Sequence, residues 1–195
     1  MLLEHLLYSA ALAILVGIIF LKYTGKDPTW LIVVMSAVPD TDYVVHMIME
    51  AFNFSYPVII NHGDFHNIFS LVFISLCVSL VLSKFGMNFV HVLVCSMLGY
   101  FAHCVEDFIV YPPAYAYFFP FTTDTYGINL IPETGDLIVA GSEVLAVGLV
   151  LFCITICIRM YFDNGWTIKH YIEDWLNVGN KMRYYTEILL FGSTE

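Results

Sequence analysis

Hydrophobic positions fall into five long runs, and most polar positions lie between them. The runs are Leu6–Leu21, Trp30–Met49, Ile68–Leu82, Phe89–Val105 and Leu137–Ile158. Read as a helix, the first spans roughly 24 Å at 1.5 Å per residue. That is slightly short of a bilayer's hydrocarbon core unless flanking residues join it. The second run is broken by Pro39, Asp40 and Asp42, and the fifth is the longest and clearest. Between runs four and five lies YPPAYAYFFPFTTDTYG, residues 111–127. Residues before proline avoid helical backbone, so an irregular loop is expected there. Its many Tyr and Phe suit a membrane–water interface. After run five, WTIKHYIEDWLNVGNKMRYYTEILLF carries apolar residues at roughly helical spacing. One or two amphipathic helices lying on the membrane surface are expected. The pattern predicts an all-α, polytopic membrane bundle of about five segments. Residues 1–158 form the embedded domain, and residues 159–195 form an amphipathic interfacial tail.

Composition supports this reading. Of 195 residues, 59% are apolar and 12% are charged, whereas soluble domains carry about a quarter charged residues. Mean hydropathy is +0.79. Neither a linker nor an internal repeat divides the chain. A net charge of −10 with only seven Lys and Arg argues against a nucleic-acid partner, because phosphates require cations. Cys77, Cys95, Cys104, Cys153 and Cys157 all lie in apolar runs without zinc-ribbon or disulfide spacing. They are expected to be small core residues. The first run lacks a basic leader and a small-residue cleavage site, so it reads as a mature anchor. A five-span path puts Lys22, Lys26, Lys84, Arg159, Lys169, Lys181 and Arg183 on one side, the cytoplasmic one by the positive-inside rule. The opposite side collects Glu4, His5, His62, Asp64, His66, His103, Asp107, Asp124, Glu133 and Asp136, with Asp40 and Asp42 on the way.

Charge inside an apolar stretch is expensive and needs a reason. In GYFAHCVEDF, residues 99–108, His103 and Asp107 are four apart. On a helix they share a face, with Cβ atoms about 6 Å apart. Such a pair can ligate one divalent ion, or simply hydrogen-bond within the bundle. VPDTDYVV places Asp40 and Asp42 together without a basic neighbour. A bound cation would relieve their repulsion, whereas a helix cap or turn accounts for one aspartate more easily than two. NHGDFHN supplies His62, Asp64 and His66 around a glycine, and Glu4 and His5 open the first run. Glu143, inside run five, should be protonated, face a polar interior or bind a metal. His46 and His91 stand alone and fit hydrogen-bonded or interface roles, while His170 belongs to the solvated tail. H-E-x-x-H and G-x-S-x-G are both absent.

The order His5, PDTD at 39–42, HGDFH at 62–66 and GYFAHCVED at 99–107 resembles the membrane-bound metal-dependent hydrolase family. That family includes the LexA-regulated inner-membrane hydrolases of bacteria. The resemblance covers about residues 1–150. More distantly, the same order is similar to the zinc-dependent phospholipase C and S1/P1 nuclease group, all-helical phosphoesterases with clustered zinc. The resemblance implies a divalent metal, zinc before manganese and one or two ions. Its ligands would come from His5, Asp40, His62, His66, His103, Asp107 and Glu143. Asp42 and Glu106 would orient a histidine or take a proton. It implies a hydrolase of a small or lipid-linked phosphoester in the inner membrane, and the basic residues put its site toward the non-cytoplasmic face. The family loop reads H-R-G-x-T-H-S. Here Asn61 or His62 stands for its first histidine, the arginine is absent and Asn67 replaces the serine, which removes a natural phosphate clamp. A divalent-cation or proton transporter, or an inactive scaffold of the same fold, is also compatible with these residues.

Overall fold

The computed structural model describes residues 2–52, 60, 63–130, 141–162, 180 and 184. Its helices are α1 Leu2–Thr24, α2 Thr29–Ser36, α3 Thr41–Ala51, α4 Ile68–Lys84, α5 Phe89–Val110 and α6 Ser142–Phe162. Among the described residues the only β pairing is one isolated bridge, Tyr115 with Tyr126, so the all-helical expectation holds. Helices α1, α5 and α6 are long and apolar enough to cross a membrane. The second run divides into α2 and α3, which meet at a 47° bend. Pro39 explains the break: it has no N–H to donate, and it disfavours helical backbone at Val38. Helix α4 is apolar but shorter, with 17 residues. Five segments is therefore an approximate count: three clear spans, one bent pair and one short helix. Helix α6 runs past the expected boundary at 158 to Phe162. The rest of the expected tail, apart from Asn180 and Tyr184, lies outside the described residues.

Helix α1 packs against α6, α2 and α5, and α5 packs against α2 and α4. Near its start, α1 meets the start of α6, where the Tyr8 hydroxyl donates to the Val144 carbonyl at 3.0 Å. Near its end, the turn into α2 meets the end of α6 through Asp27 and Arg159, 2.9 Å apart. The two helices therefore run parallel. Leu31, Ile32, Met35, Cys95 and Tyr100 form the centre of the core. Helices α2 and α5 approach so closely that a side chain on Gly99 would strike the Ile32 carbonyl and the Met35 side chain. Ser9, Ser36, Ser75, Ser79 and Ser96 are all buried between helices. Small residues of this kind let helix backbones come together in a bilayer. The outer faces carry Phe73, Leu80, Val147, Val150 and Ile154 exposed, a surface that suits lipid rather than water.

The cysteine expectation is corrected. Cys95 and Cys104 are buried, but Cys77, Cys153 and Cys157 lie on the outside. A small apolar side chain facing lipid is already in an apolar medium, so nothing drives it inward.

Arg159 is 1% exposed, and the Asp27 carboxylate it meets is 6% exposed. Asp27 also accepts from the Thr29 backbone N–H at 3.0 Å and from the Thr29 hydroxyl. This buried pair ties the α1–α2 turn to α6. Removing one partner strands a buried charge, so Arg159→Met should lower stability by about 3–5 kcal/mol. The double variant Asp27→Leu/Arg159→Met should recover most of that loss. Thermal unfolding of the detergent-purified variants measures both; equal losses in single and double variants would show that the pair carries no stability.

Candidate metal centre

Four separate pieces of chain reach one end of the bundle. His103 and Asp107 lie one turn apart on α5, His5 lies in the first turns of α1, Asp40 lies at the α2–α3 bend, and His66 lies just before α4. The loop holding His66 is fixed from three directions. The Asp42 Oδ2 atom accepts from the Gly63 N–H at 2.8 Å and the Phe65 N–H at 3.2 Å. The Tyr100 hydroxyl donates to the Phe65 carbonyl at 2.5 Å. Asn67 caps α4 by accepting from the Ser70 N–H at 2.9 Å, and its own amide donates to the Asp64 carbonyl at 2.6 Å. Gly63 turns the loop with a φ of +102°, and the Tyr115 ring occupies the space a side chain would need.

These anchors bring four ligand atoms together. His66 Nε2 lies 3.1 Å from His103 Nε2, 3.2 Å from Asp107 Oδ2 and 3.7 Å from Asp40 Oδ1. His103 Nε2 lies 3.3 Å from Asp107 Oδ2 and 3.7 Å from Asp40 Oδ1. Ligands held tetrahedrally at 2.0–2.1 Å from zinc stand about 3.3–3.4 Å apart, so the His66, His103 and Asp107 atoms, 3.1–3.3 Å from one another, have the spacing of one ion's ligands. His5 adds a further donor: its Nε2 lies 3.3 Å from Asp107 Oδ1, and its ring centroid is 4.0 Å from that of His103. Two triads thus share His103 and could each hold a metal, His5–His103–Asp107 and Asp40–His66–His103. Neither oxygen of Asp107 makes a hydrogen bond of good geometry, although both are buried. Ring nitrogens of His5, His66 and His103 lie 3.2–3.3 Å from them. Such an orphaned carboxylate among imidazoles fits a site that completes itself with a cation.

Two carboxylates stand behind the ring nitrogens that face away from the cluster. Glu106 Oε2 lies 3.0 Å from His5 Nδ1, and Asp42 Oδ2 lies 3.4 Å from His66 Nδ1. A carboxylate in that position fixes ring orientation and tautomer and makes the ligand more basic. His66, His103 and Asp42 are fully buried, whereas the Asp40 side chain is 21% exposed. Asp40 therefore marks the open side. Burial opposes a charge on His66, but the Asp107, Asp40 and Asp42 carboxylates outweigh it and hold its pKa well above 6.5.

The other expected residues are placed differently. Glu143 is exposed on the first turn of α6 and joins neither triad; it is Val144, the next residue, that faces inward. An acid there meets the positive end of the helix. His62 lies outside the described residues. His46 pairs with the Ile60 carbonyl at 2.8 Å and Glu50 at 3.4 Å. His91 sits near the start of α5, edge-on to Phe20 at 5.7 Å. Sequence reasoning undervalued Glu4, which is 1% exposed beside His5, and missed the aromatic cover. Tyr115 stacks on His66 at 4.3 Å, and Tyr111 meets His5 edge-on at 6.5 Å. The loop carrying them folds back through Tyr126 N–H to Tyr115 carbonyl at 3.1 Å and Ile68 N–H to Tyr117 carbonyl at 2.8 Å. Aromatic composition suggested an interface, and no spacing pointed to histidine stacking.

The YdjM inner membrane protein family matches residues 1–166, which include α1 to α6 and every residue of the cluster. The chain belongs to the YdjM family. No curated protein and no solved structure matches the chain. YdjM membership carries the inner-membrane part of the resemblance drawn from the motifs and makes the bilayer the protein's surroundings. It says nothing of hydrolysis, nor of kinship to phospholipase C or nucleases. In this YdjM protein the buried His and Asp groups can hold a metal ion.

Detergent-purified protein should retain a divalent metal on elemental analysis. His103→Ala and Asp107→Asn should lose it, Asp42→Asn should bind about 10–100-fold more weakly, and His91→Ala should be unchanged. The sign of the pH effect follows from His66. Its raised pKa stabilises the metal-free fold fully below pH 6.5, and that contribution fades as pH rises through the folded value. Metal uptake runs the other way, because the ion replaces the proton. Affinity should therefore be stronger at pH 8 than at pH 6, as read by metal titration at the two values.

Proposed function

We propose that this YdjM protein is a metal-dependent hydrolase embedded in the inner membrane, acting on a phosphoester, small or lipid-linked. The observation that supports it most is that the His66, His103 and Asp107 ligand atoms lie 3.1–3.3 Å from one another, with Asp40 3.7 Å from both histidines on the open side. Two imidazoles and two carboxylates suit zinc, and manganese less well. The ion would supply Lewis acidity, making water acidic enough to yield hydroxide near neutral pH. His66, His103, Asp107 and Asp40 hold it. His5 lies alongside, oriented by Glu106, and Asp42 orients His66 while pinning the loop. Tyr115 and Tyr111 cover the rings and keep bulk water from their faces.

Two features shape the chemistry. Between Lys26 and Arg159 the sequence holds one cation, Lys84, and it ends α4 far from the cluster. Among the described residues no guanidinium lies near the loop, so the substrate's negative charge is met there by the ion and by backbone N–H groups. The acids and histidines of the cluster share one end of the bundle, while Lys22, Lys84 and Arg159 lie in the last turns of α1, α4 and α6. This polarity supports a site on the non-cytoplasmic face. It also favours a cup at one end over the through-path a transporter needs.

The test is turnover of generic phosphomonoesters and phosphodiesters by purified, zinc- or manganese-loaded protein. Activity should disappear on chelation and return with metal. Asp107→Asn should abolish it, and Glu106→Gln should lower kcat/KM by about 10–100-fold. Bound metal without turnover of any ester overturns the hydrolase reading in favour of an inactive scaffold. Metal-ion uptake into liposomes overturns it in favour of a transporter.

A further inference from the structure

A groove of about 580 Å³ lies between α4 and α5, within the range of ligand pockets, about 300–1,000 Å³. Leu71 and Val72 of α4 and Met97, Leu98 and Phe101 of α5 form its walls. Helix α5 is long and apolar enough to cross the membrane, and Val72 and Phe101 stay exposed on the outer face. Hydrocarbon is therefore what bathes the groove. Its polar lining is confined to one end. Asn67, next in sequence to His66, and Cys104, next to His103, line it there together with Tyr117. The Tyr117 hydroxyl is buried and has no hydrogen-bond partner. One apolar channel thus ends beside the residues that adjoin His66 and His103 in the chain.

We propose that this groove seats one hydrocarbon chain of a lipid-linked substrate, so that its polar head stands at the end of the bundle that carries the His66–His103–Asp107 cluster. The identity of the head rests on the hydrolase reading; the chain site rests on the groove. Lipid tails are as apolar as leucine, so the groove gains no hydrophobic free energy over the bilayer. Its effect is positional. A chain laid along α4 and α5 sets its own polar end at the end of those helices where Asn67 and Cys104 adjoin the ligand cluster. Holding the reacting group in register in this way is what an embedded hydrolase requires of its substrate site.

The experiment uses full-length protein in phosphatidylcholine nanodiscs and a long-chain alkyl phosphate bearing a mid-chain diazirine. After irradiation, labelled peptides are mapped. Label should concentrate on the segments of Leu71, Met97 and Phe101. Met97→Trp and Val72→Trp should each cut it about tenfold, the loss expected from one overpacked side chain. Phe73→Trp, exposed on α4 outside the groove, should leave it unchanged. Retained metal in each variant shows an intact fold. Even labelling of the outer faces of α1, α4 and α6, or labelling indifferent to Met97→Trp and Val72→Trp, overturns the proposal. So does a groove filled by the chain's own residues beyond 162 or by a second copy, seen as protein–protein cross-links. Labelling needs no turnover, so the two readings fail separately. Groove labelling without hydrolysis keeps the chain site and removes the hydrolase. Hydrolysis of soluble esters without groove labelling does the reverse.

Discussion

The constraint on which this molecule turns is electrostatic. Asp40, Asp42, Glu106 and Asp107 converge with His5, His66 and His103 at one end of an apolar bundle, and most of them are removed from solvent. No Lys or Arg among the described residues stands there; Lys22, Lys84 and Arg159 close the other end. Carboxylates in a low-dielectric interior must be protonated, paired or bound to a cation. The histidines answer part of that demand, and a divalent ion would answer the rest. The same groups that make the site costly to bury make it able to hold a metal.

The scaffold is arranged to deliver those groups without strain. The proline bend between α2 and α3 lifts Asp40 and Asp42 out of a span and into the cluster. Asp42 then accepts two backbone N–H groups from the loop that carries His66. Gly99 lets α2 lie directly against α5, and Tyr100, the next residue, reaches from α5 to hold the same loop. At the far end, Asp27 and Arg159 form a buried ion pair that joins α1 to α6. One end of the bundle satisfies its charges with each other, and the other leaves carboxylate oxygens turned toward a shared space.

Some of this was legible in the residues. The spacing of His103 and Asp107 fixes them on one helical face whatever the rest of the chain does. Pro39 forecast a break where the bend occurs, and five apolar runs forecast helices at nearly the observed positions. Glu143 misled because hydropathy places it inside a run, whereas the helix starts beside it at Ser142. Cysteine burial misled because lipid removes the difference between inside and outside for an apolar side chain. The stacking of Tyr115 on His66 had no sequence signal, since the two are far apart in the chain and belong to irregular segments.

The sequence by itself determined the helical class, the membrane setting and which residue types are available for ligation. Those follow from local periodicity and from the cost of charge among apolar neighbours, which act over one or two helical turns. Only the tertiary structure decided which acids share a space, which stand behind the histidines and which, like Glu143, face outward. These depend on how helices distant in the chain are set against one another at the loop and the bend. Side-chain contacts between distant elements, unlike helix faces, are encoded in no single stretch of the chain.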